Sequence, residues 1–435
     1  ATLVALVVAL GLGVAATVGA HAKASLATAT SGDFRTTAGA AARRFRDSLV
    51  VAQVALAVML LAGAGLLVRS LARLRQVNPG FEAAQLLTAN VGLPFTVYET
   101  EELQVAFFHE FVARARTLPG VEAAGLVSSL PITGVAFGTS FWPADRPEPP
   151  AGQRPVADIR AADAGYFAAM RIPLLAGRLF DGTERAGAPQ AIVVSQTLAR
   201  EMWPGQDALG KQLQVNWYQP DADATVVGVV GDVRHSGLDV VPRPMIYYFP
   251  DQSPTNQFSL AVRGRAPPDR LAADLRNLLR EMDPRLPLRD VRTMGERLDA
   301  SVGGRRYPMV LLTLFAAVAL TLAAIGLYGV LSYTVGLRSR EIGVRIALGA
   351  LPVSVMRMVV RRGLALVGVG LAIGMGGAIA ATRVLQSLLY DVSPTDPMTL
   401  GLGAVVLAVA GVLASYLPAR RAAGVDPMVA LKGEG

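Results

Sequence analysis

The 435-residue chain has no cysteine, only three histidines, 6% aromatic residues and 17% charged residues. The missing cysteines exclude a disulfide scaffold and any zinc site built on thiolates. With His21, His109 and His235 as the whole histidine complement, a His-Cys metal centre is also excluded. A soluble domain carries about 25% charged residues, so this chain is poor in charge. It is instead 52% hydrophobic, rich in Leu, Val and Ala, with 44 Gly. That composition excludes a disordered or collagen-like chain and argues against an ordinary cytosolic enzyme.

The net charge of +8 first points to nucleic acid. Its distribution points elsewhere. Residues 70–307 hold 25 Lys and Arg against 26 Asp and Glu, and the flanks hold the other 16 and 7. The excess positive charge lies wholly in the hydrophobic flanks. The basic clusters there lack interleaved aromatics, so no nucleic-acid partner is expected.

Five runs carry no Asp, Glu, Lys or Arg: 1–22, 48–68, 307–337, 363–382 and 397–419. Each has the ~20 residues that cross a bilayer. One such run could be a buried core helix, or at the start of a chain a signal peptide. Five in one chain argue for membrane spans. Orientation follows from basic residues at the span ends. Lys23, Arg35, Arg43, Arg44 and Arg46 follow the first run. Arg338, Arg340, Arg345, Arg357, Arg361 and Arg362 follow the third, and Arg420, Arg421 and Lys432 follow the fifth. These three segments read as cytoplasmic. The link with Asp391 and Asp396 reads as external, and so does the insert 70–307.

The insert reads as mixed α and β. Thr100 can cap a helix with Glu101 and Glu102 in its first turn and Leu103, Phe107 and Phe111 on one face. A second helix starts near Pro268, with Leu271, Leu275, Leu278 and Met282 inward. Strands are expected at 86–93, 121–130, 191–195, 224–230, 245–249 and 258–262. Residues 293–307 and 69–77 connect the insert to its flanking spans and form a stalk if they continue the membrane helices.

Several patterns imitate active sites. Gly205 to Gln212 nearly spells a phosphate-binding loop, but Gln212 replaces the required hydroxyl. A helix candidate precedes it and a strand candidate, 212–215, follows, the reverse of a true P-loop. His109-Glu110 opens like a zincin motif, but Ala113 stands where the second His belongs. His21 and His235 find no partner in the sequence. The Gly-rich run 370–377 fits close helix packing better than a phosphate cradle.

The segment Arg338-Ser339-Arg340-Glu341-Ile342-Gly343-Val344-Arg345-Ile346-Ala347-Leu348-Gly349-Ala350 is the most specific feature. It predicts a short amphipathic helix. Arg338, Glu341 and Arg345 share one stripe, Ile342 and Ile346 form an apolar patch, and Gly349 suits the C-terminal cap. Such a helix either rests on lipid headgroups or docks an apolar knob into a cytoplasmic partner.

This segment resembles the coupling motif of the FtsX/MacB-like ABC permease superfamily. Residues 324–331, the ending Leu417-Pro418-Ala419-Arg420-Arg421 and the later 425–431 are similar to that superfamily too. The entry at 48–56, with 66–74 and Asn78-Pro79-Gly80-Phe81, is similar to its duplicated orphan permeases. The resemblance covers about residues 45–435. It implies an integral membrane α-helical bundle, a four-helix FtsX-like unit plus one extra N-terminal span, with a large α+β extracytoplasmic domain.

The expected division is then 1–22, a surplus span from a preceding repeat; 23–47, a basic cytoplasmic linker; and 48–69, a span. Residues 70–307 form the extracytoplasmic domain with its stalk, and 308–337 a span. Residues 338–362 form a cytoplasmic loop with the coupling helix. Next come a span at 363–383, a short external loop at 384–396, a span at 397–419 and a cytoplasmic tail at 420–435. The resemblance further implies a non-catalytic permease subunit in a bacterial cytoplasmic membrane, with no cofactor of its own. ATP would be hydrolysed by a separate cytoplasmic ABC ATPase. The coupling residues would be Arg338, Arg340, Glu341, Ile342, Gly343, Arg345, Ile346 and Gly349. Further expected partners are the lipid bilayer, a periplasmic adaptor or substrate protein, and a second copy or a missing first half completing a dimer or pseudo-dimer. The output would be export or periplasmic mechanical work. The alternative is a membrane receptor or regulator whose external domain binds a ligand or a cell-wall hydrolase.

Overall fold

The computed structural model describes residues 36–134, 137–150, 152–218, 222–385, 390–393 and 395–424. The run 1–22, with His21, lies outside them. Chain order is α1 (Thr36–Gln76), β1 (Leu86–Gly92), α2 (Glu101–Arg116), β2 (Val121–Val127), β3 (Gly138–Pro143), β4 (Val156–Ala161), α3 (Ala164–Met170), β5 (Leu174–Gly177), β6 (Ala191–Ser195), α4 (Gln196–Met202), β7 (Gln212–Val215), β8 (Asp223–Val230), β9 (Met245–Tyr248), β10 (Gln257–Gly264), α5 (Pro268–Met282), β11 (Arg289–Thr293), α6 (Met294–Leu337), α7 (Ser339–Ala347), α8 (Pro352–Leu385) and α9 (Pro397–Ala423). The chain divides into two units, Gln76–Gly304 and the segments on either side of it.

In the helical unit, four segments are long and apolar enough to cross a membrane: Ala41–Gln76, Arg306–Leu337, Pro352–Ala381 and Pro397–Ala423. Even the shortest, at 27 residues, spans about 40 Å at 1.5 Å per residue, against a hydrocarbon core of about 30 Å. Protein buries 56% of the apolar window of α1 but only 17–22% of the others, so α1 is the helix the others pack around. Its Val54, Ala57, Val58 and Leu60 share a core with Ala316 and Leu327 of α6, Val359 and Val367 of α8, and Leu407 of α9.

Small residues set the closest approach. A Cβ at Gly370 would lie 2.7 Å from Val54 Cβ, and one at Gly374 would lie 2.7 Å from the Ala55 carbonyl oxygen. Gly370, Gly374 and Gly377 fall on one face of α8, which lets the α1 backbone come close. At one end of the bundle Arg69 pairs with Asp396, Arg73 pairs with Asp391 at 3.0 Å, and Ser70 Oγ accepts from Tyr390 N. At the other, Arg362 pairs with Asp47 at 3.2 Å, and Arg421 donates to the Tyr328 hydroxyl.

The Gln76–Gly304 unit is α+β. Its first sheet is antiparallel in the order β11-β1-β10-β2. Helix α2 joins β1 to β2, α5 joins β10 to β11, and both pack on this sheet through Phe107, Phe108, Phe111, Leu271 and Leu275. This is the split β-α-β arrangement of ferredoxin-like folds. The second sheet is inserted between β2 and β10 in the order β5-β8-β6-β9-β4-β3-β7. Because β7 also pairs with β8, six of its strands close into a ring. Leu86, Val127, Phe167, Val230 and Tyr247 form a core shared by the two sheets.

Thr100 caps α2, its hydroxyl accepting from Leu103 N. The inward face differs from the expected one. Leu103 is 50% exposed, and Gln104 is buried in its place, donating from Nε2 to the Tyr98 carbonyl at 3.0 Å. The buried set Gln104, Phe107, Phe108, Phe111, Val112 and Ala115 is one face at helical spacing, and Leu103 falls off it. In α5, Leu271, Leu275 and Leu278 point inward as expected.

Candidate functional site

The segment after α6 folds as the short helix α7, Ser339–Ala347. Its C-terminal end is closed by the backbone. Gly349 has φ +92, its N–H donates to the Ile346 carbonyl, and Ala350 N–H donates to the Arg345 carbonyl. That is a Schellman motif, and its left-handed position is where glycine carries no steric cost. Three residues later Pro352 starts α8, a position where proline loses no hydrogen bond.

The charged stripe pairs along the helix. Arg345 Nη2 donates to Glu341 Oε1 at 2.7 Å, and Arg338 Nε lies 4.0 Å from Glu341 Oε2. All three side chains are 44–49% exposed, so the pairs contribute only about 0.3–0.5 kcal/mol each and mainly fix orientation.

The apolar positions depart from expectation. Ile342 is 5% exposed and belongs to the core of the span bundle, with Ile346 packed partly against the same core and Gly343 buried beside it. These residues seat α7 on its own chain. The reason is that α7 lies back on the spans, and the Ile342 face is the one turned toward them. The outward apolar residues are Val344, at 39% exposed, and Leu348, at 83%. Arg340 is exposed as well.

Sequence reasoning missed what α8 contributes. A cleft of about 70 Å³ lies between the end of α6, α7 and the first turns of α8. Arg338, Glu341, Arg345 and Arg362 line it, over an apolar wall that includes Leu331, Met358 and Val359. The convergence was not visible in sequence because Arg362 lies 17 or more residues beyond the α7 arginines, on another helix.

The sites that imitate catalysis resolve as structural. Gly205 and Gly210 occupy positive-φ turns between α4 and β7, so helix precedes and strand follows. His109 Nε2 meets Asp251 Oδ1 at 2.6 Å, which raises its pKa above the ordinary value through that hydrogen bond. His235 does have partners, contrary to expectation. Its Nδ1 accepts from Arg160 Nε at 3.0 Å, and its Nε2 lies 3.1 Å from the Tyr247 hydroxyl. Complete burial, and secondarily the Arg160 charge, push its pKa well below the ordinary value. Among the described residues no three His, Asp or Glu side chains cluster as metal ligands.

Residues 2–278 match the model of the MacB-like periplasmic core domain, and residues 313–427 match that of the FtsX-like permease C-terminal. The macrolide export ATP-binding/permease protein MacB of Marinobacter nauticus is 28% identical over 290 residues, covering 64% of this chain and 44% of that protein. The pyoverdine export ATP-binding/permease protein PvdT of Pseudomonas syringae pv. syringae is 25% identical over 288 residues, covering 62% of this chain and 42% of that protein. The chain thus spans less than half the length of these relatives. The crystal structure of the periplasmic region of MacB from Actinobacillus actinomycetemcomitans is 13% identical, covers 50% of this chain and 92% of that one, and gives a TM-score of 0.35.

Proposed function

The chain belongs to the MacB/FtsX-like family of ABC transporter permeases, and from that premise we propose that α7 is the element through which an ATP-binding partner drives it. On this reading the ATPase sits on the cytoplasmic side of a bacterial cytoplasmic membrane, the Gln76–Gly304 unit lies outside, and ATP-driven movement of α7 is passed along the spans. The output is export of a substrate or mechanical work on an extracytoplasmic protein. Two four-helix units, from a second copy or a preceding repeat, complete the assembly.

The observation that carries the proposal is the construction of α7. It is capped at its C-terminal end and held to the span core by Ile342, and it presents Arg340, Val344, Arg345 and Leu348 outward. A helix built this way transfers a push to the bundle instead of sliding over it. In this scheme Arg338, Arg340, Glu341 and Arg345 fix the register of the partner. Ile342, Gly343 and Ile346 carry the motion inward, and Gly349 ends the helix.

The test is Glu341→Arg, which replaces the Arg345–Glu341 pair with three like charges in a row. Membrane insertion should be retained and stimulation of the ATPase by the permease lost. Normal copurification and normal stimulation would sink the docking assignment. Gly343→Trp should also uncouple, by prising the helix off its seat.

A further inference from the structure

We propose that the cleft between α6, α7 and α8 is a seat for the phosphate of an anionic phospholipid. The proposal does not rest on the docking reading. It requires only that the spans end at a bilayer surface here, and it gives Arg338 and Arg345, which the docking reading uses for register, a lipid ligand of their own that is assayed without any ATPase.

The charge balance of the cleft is the first argument. Three guanidinium groups from separate places converge: Arg338 at the end of α6, Arg345 on α7 and Arg362 on α8. The only carboxylate among the lining residues is Glu341, and Arg345 Nη2 already holds it at 2.7 Å. Among the described residues, Asp47, 3.2 Å from Arg362, is the other carboxylate paired with these three groups. One positive charge is therefore left over.

The hydrogen bonding is the second argument. Arg345 Nη1 points at the Met358 thioether, 3.9 Å away. A thioether is a weak acceptor, so this donor sits where a phosphate oxygen would serve far better. Arg338 Nε, 4.0 Å from Glu341, is beyond hydrogen-bond range of that carboxylate.

The third argument is the wall. Leu331 belongs to α6 and Met358 and Val359 to α8, so the phosphate seat adjoins the apolar surfaces of two spans. A free inorganic anion gains nothing from such a wall, whereas an amphiphile meets both halves of the cleft. Basic pockets between transmembrane helices at the membrane surface are suited to phospholipid headgroups. A volume of about 70 Å³ admits a headgroup phosphate and leaves the rest of the lipid outside.

The experiment uses the full chain, purified and stripped of lipid in mild detergent without any ATPase, and titrated in native mass spectrometry. Phosphatidylglycerol should bind with clear preference over phosphatidylcholine. Arg338→Gln with Arg345→Gln should weaken phosphatidylglycerol binding about thirtyfold, from the loss of two basic side chains. Arg345→Lys, which keeps the charge and loses the planar fork, should give a smaller loss in a chain whose melting temperature is unchanged. Arg420→Gln, outside the cleft, should change nothing. Equal binding of the two lipids would overturn the proposal, as would indifference to the double substitution. Displacement of phosphatidylglycerol by millimolar inorganic phosphate would reassign the seat to a free anion. None of these readings depends on whether α7 docks an ATPase.

Discussion

Leu348 separates the two faces of α7 most sharply. It stands just past the last helical residue with 83% of its surface exposed, while Ile342 on the opposite face keeps 5%. If the outward face docks, Leu348 goes from nearly full exposure to burial. Complete burial of a leucine side chain is worth about 1.5–3 kcal/mol. Leu348→Ala leaves only a methyl group, so most of that is lost, about 2 kcal/mol, or roughly a thirtyfold weaker complex. Val344, at 39% exposed, has less surface left to bury, and Val344→Ala should cost clearly less. Ile342→Ala acts differently. It opens a cavity between α7 and the spans and should cost about 2–4 kcal/mol of stability without removing any outward contact. The assay is the affinity of the purified chain for its ATP-binding partner, measured by interferometry, beside the melting temperature of each variant. Leu348→Ala should lose affinity and keep its melting temperature, and Ile342→Ala should lower the melting temperature first. Wild-type affinity in Leu348→Ala, or a greater affinity loss in Ile342→Ala at unchanged stability, would refute the assignment of faces.

Four further outcomes follow from the packing and the hydrogen bonding. Gly374→Leu should lower the melting temperature in detergent, overpacking the α1–α8 contact at a cost of about 1–3 kcal/mol, whereas Gly376→Leu, with nothing within 4 Å of its Cβ position, should be tolerated. Arg263, 2% exposed, donates to the carbonyls of Ala169, Ala84 and Glu82, so Arg263→Met should destabilise the Gln76–Gly304 unit in urea unfolding by at least about 3 kcal/mol. A loss under about 1 kcal/mol would contradict that role. His235, lowered in the fold, refuses a proton that the unfolded chain accepts near pH 6.5. Its contribution is therefore complete above about pH 6.5 and is lost as pH falls toward the folded value. The stability difference between wild type and His235→Gln, followed by unfolding from pH 7.5 to 5, should shrink on acidification. His109, raised by Asp251, acts in the opposite sense, stabilising below its unfolded value and ceasing to do so as pH rises through its folded one.

Four of the spans were legible because a charge-free run of bilayer length is what a helix in hydrocarbon requires and what few soluble helices contain. In the mixed unit, β6 and β9 could be read from their Val, Ile and Tyr runs, but β4 could not. Val156–Ala161 contains Asp158 and Arg160, which look like surface residues in sequence and are 2% and 3% exposed in the fold. Arg160 is buried because His235 and the Ser129 carbonyl accept its donors, partners 75 and 31 residues away. Pairing at that distance leaves no local signal. In α2 the cause is local: Gln104 lies on the same helical face as Phe107, Phe108 and Phe111 and is satisfied by the Tyr98 carbonyl six residues back, so a polar residue takes the inward position and Leu103 faces out. For α7, periodicity gave the helix, the stripe and the glycine at its end. It could not say which face the spans cover, since both carry branched apolar residues: Ile342 and Ile346 on one, Val344 and Leu348 on the other.

The central claim is that the outward face of α7 meets an ATP-binding partner. A photo-crosslinking amino acid placed at position 348 in native membranes tests it most directly, with position 236 of the mixed unit as the comparison. An adduct with an ABC ATPase at 348 and none at 236 is the predicted result. ATPase adducts at 236 and none at 348, in a chain that still stimulates ATP hydrolysis, would contradict the account.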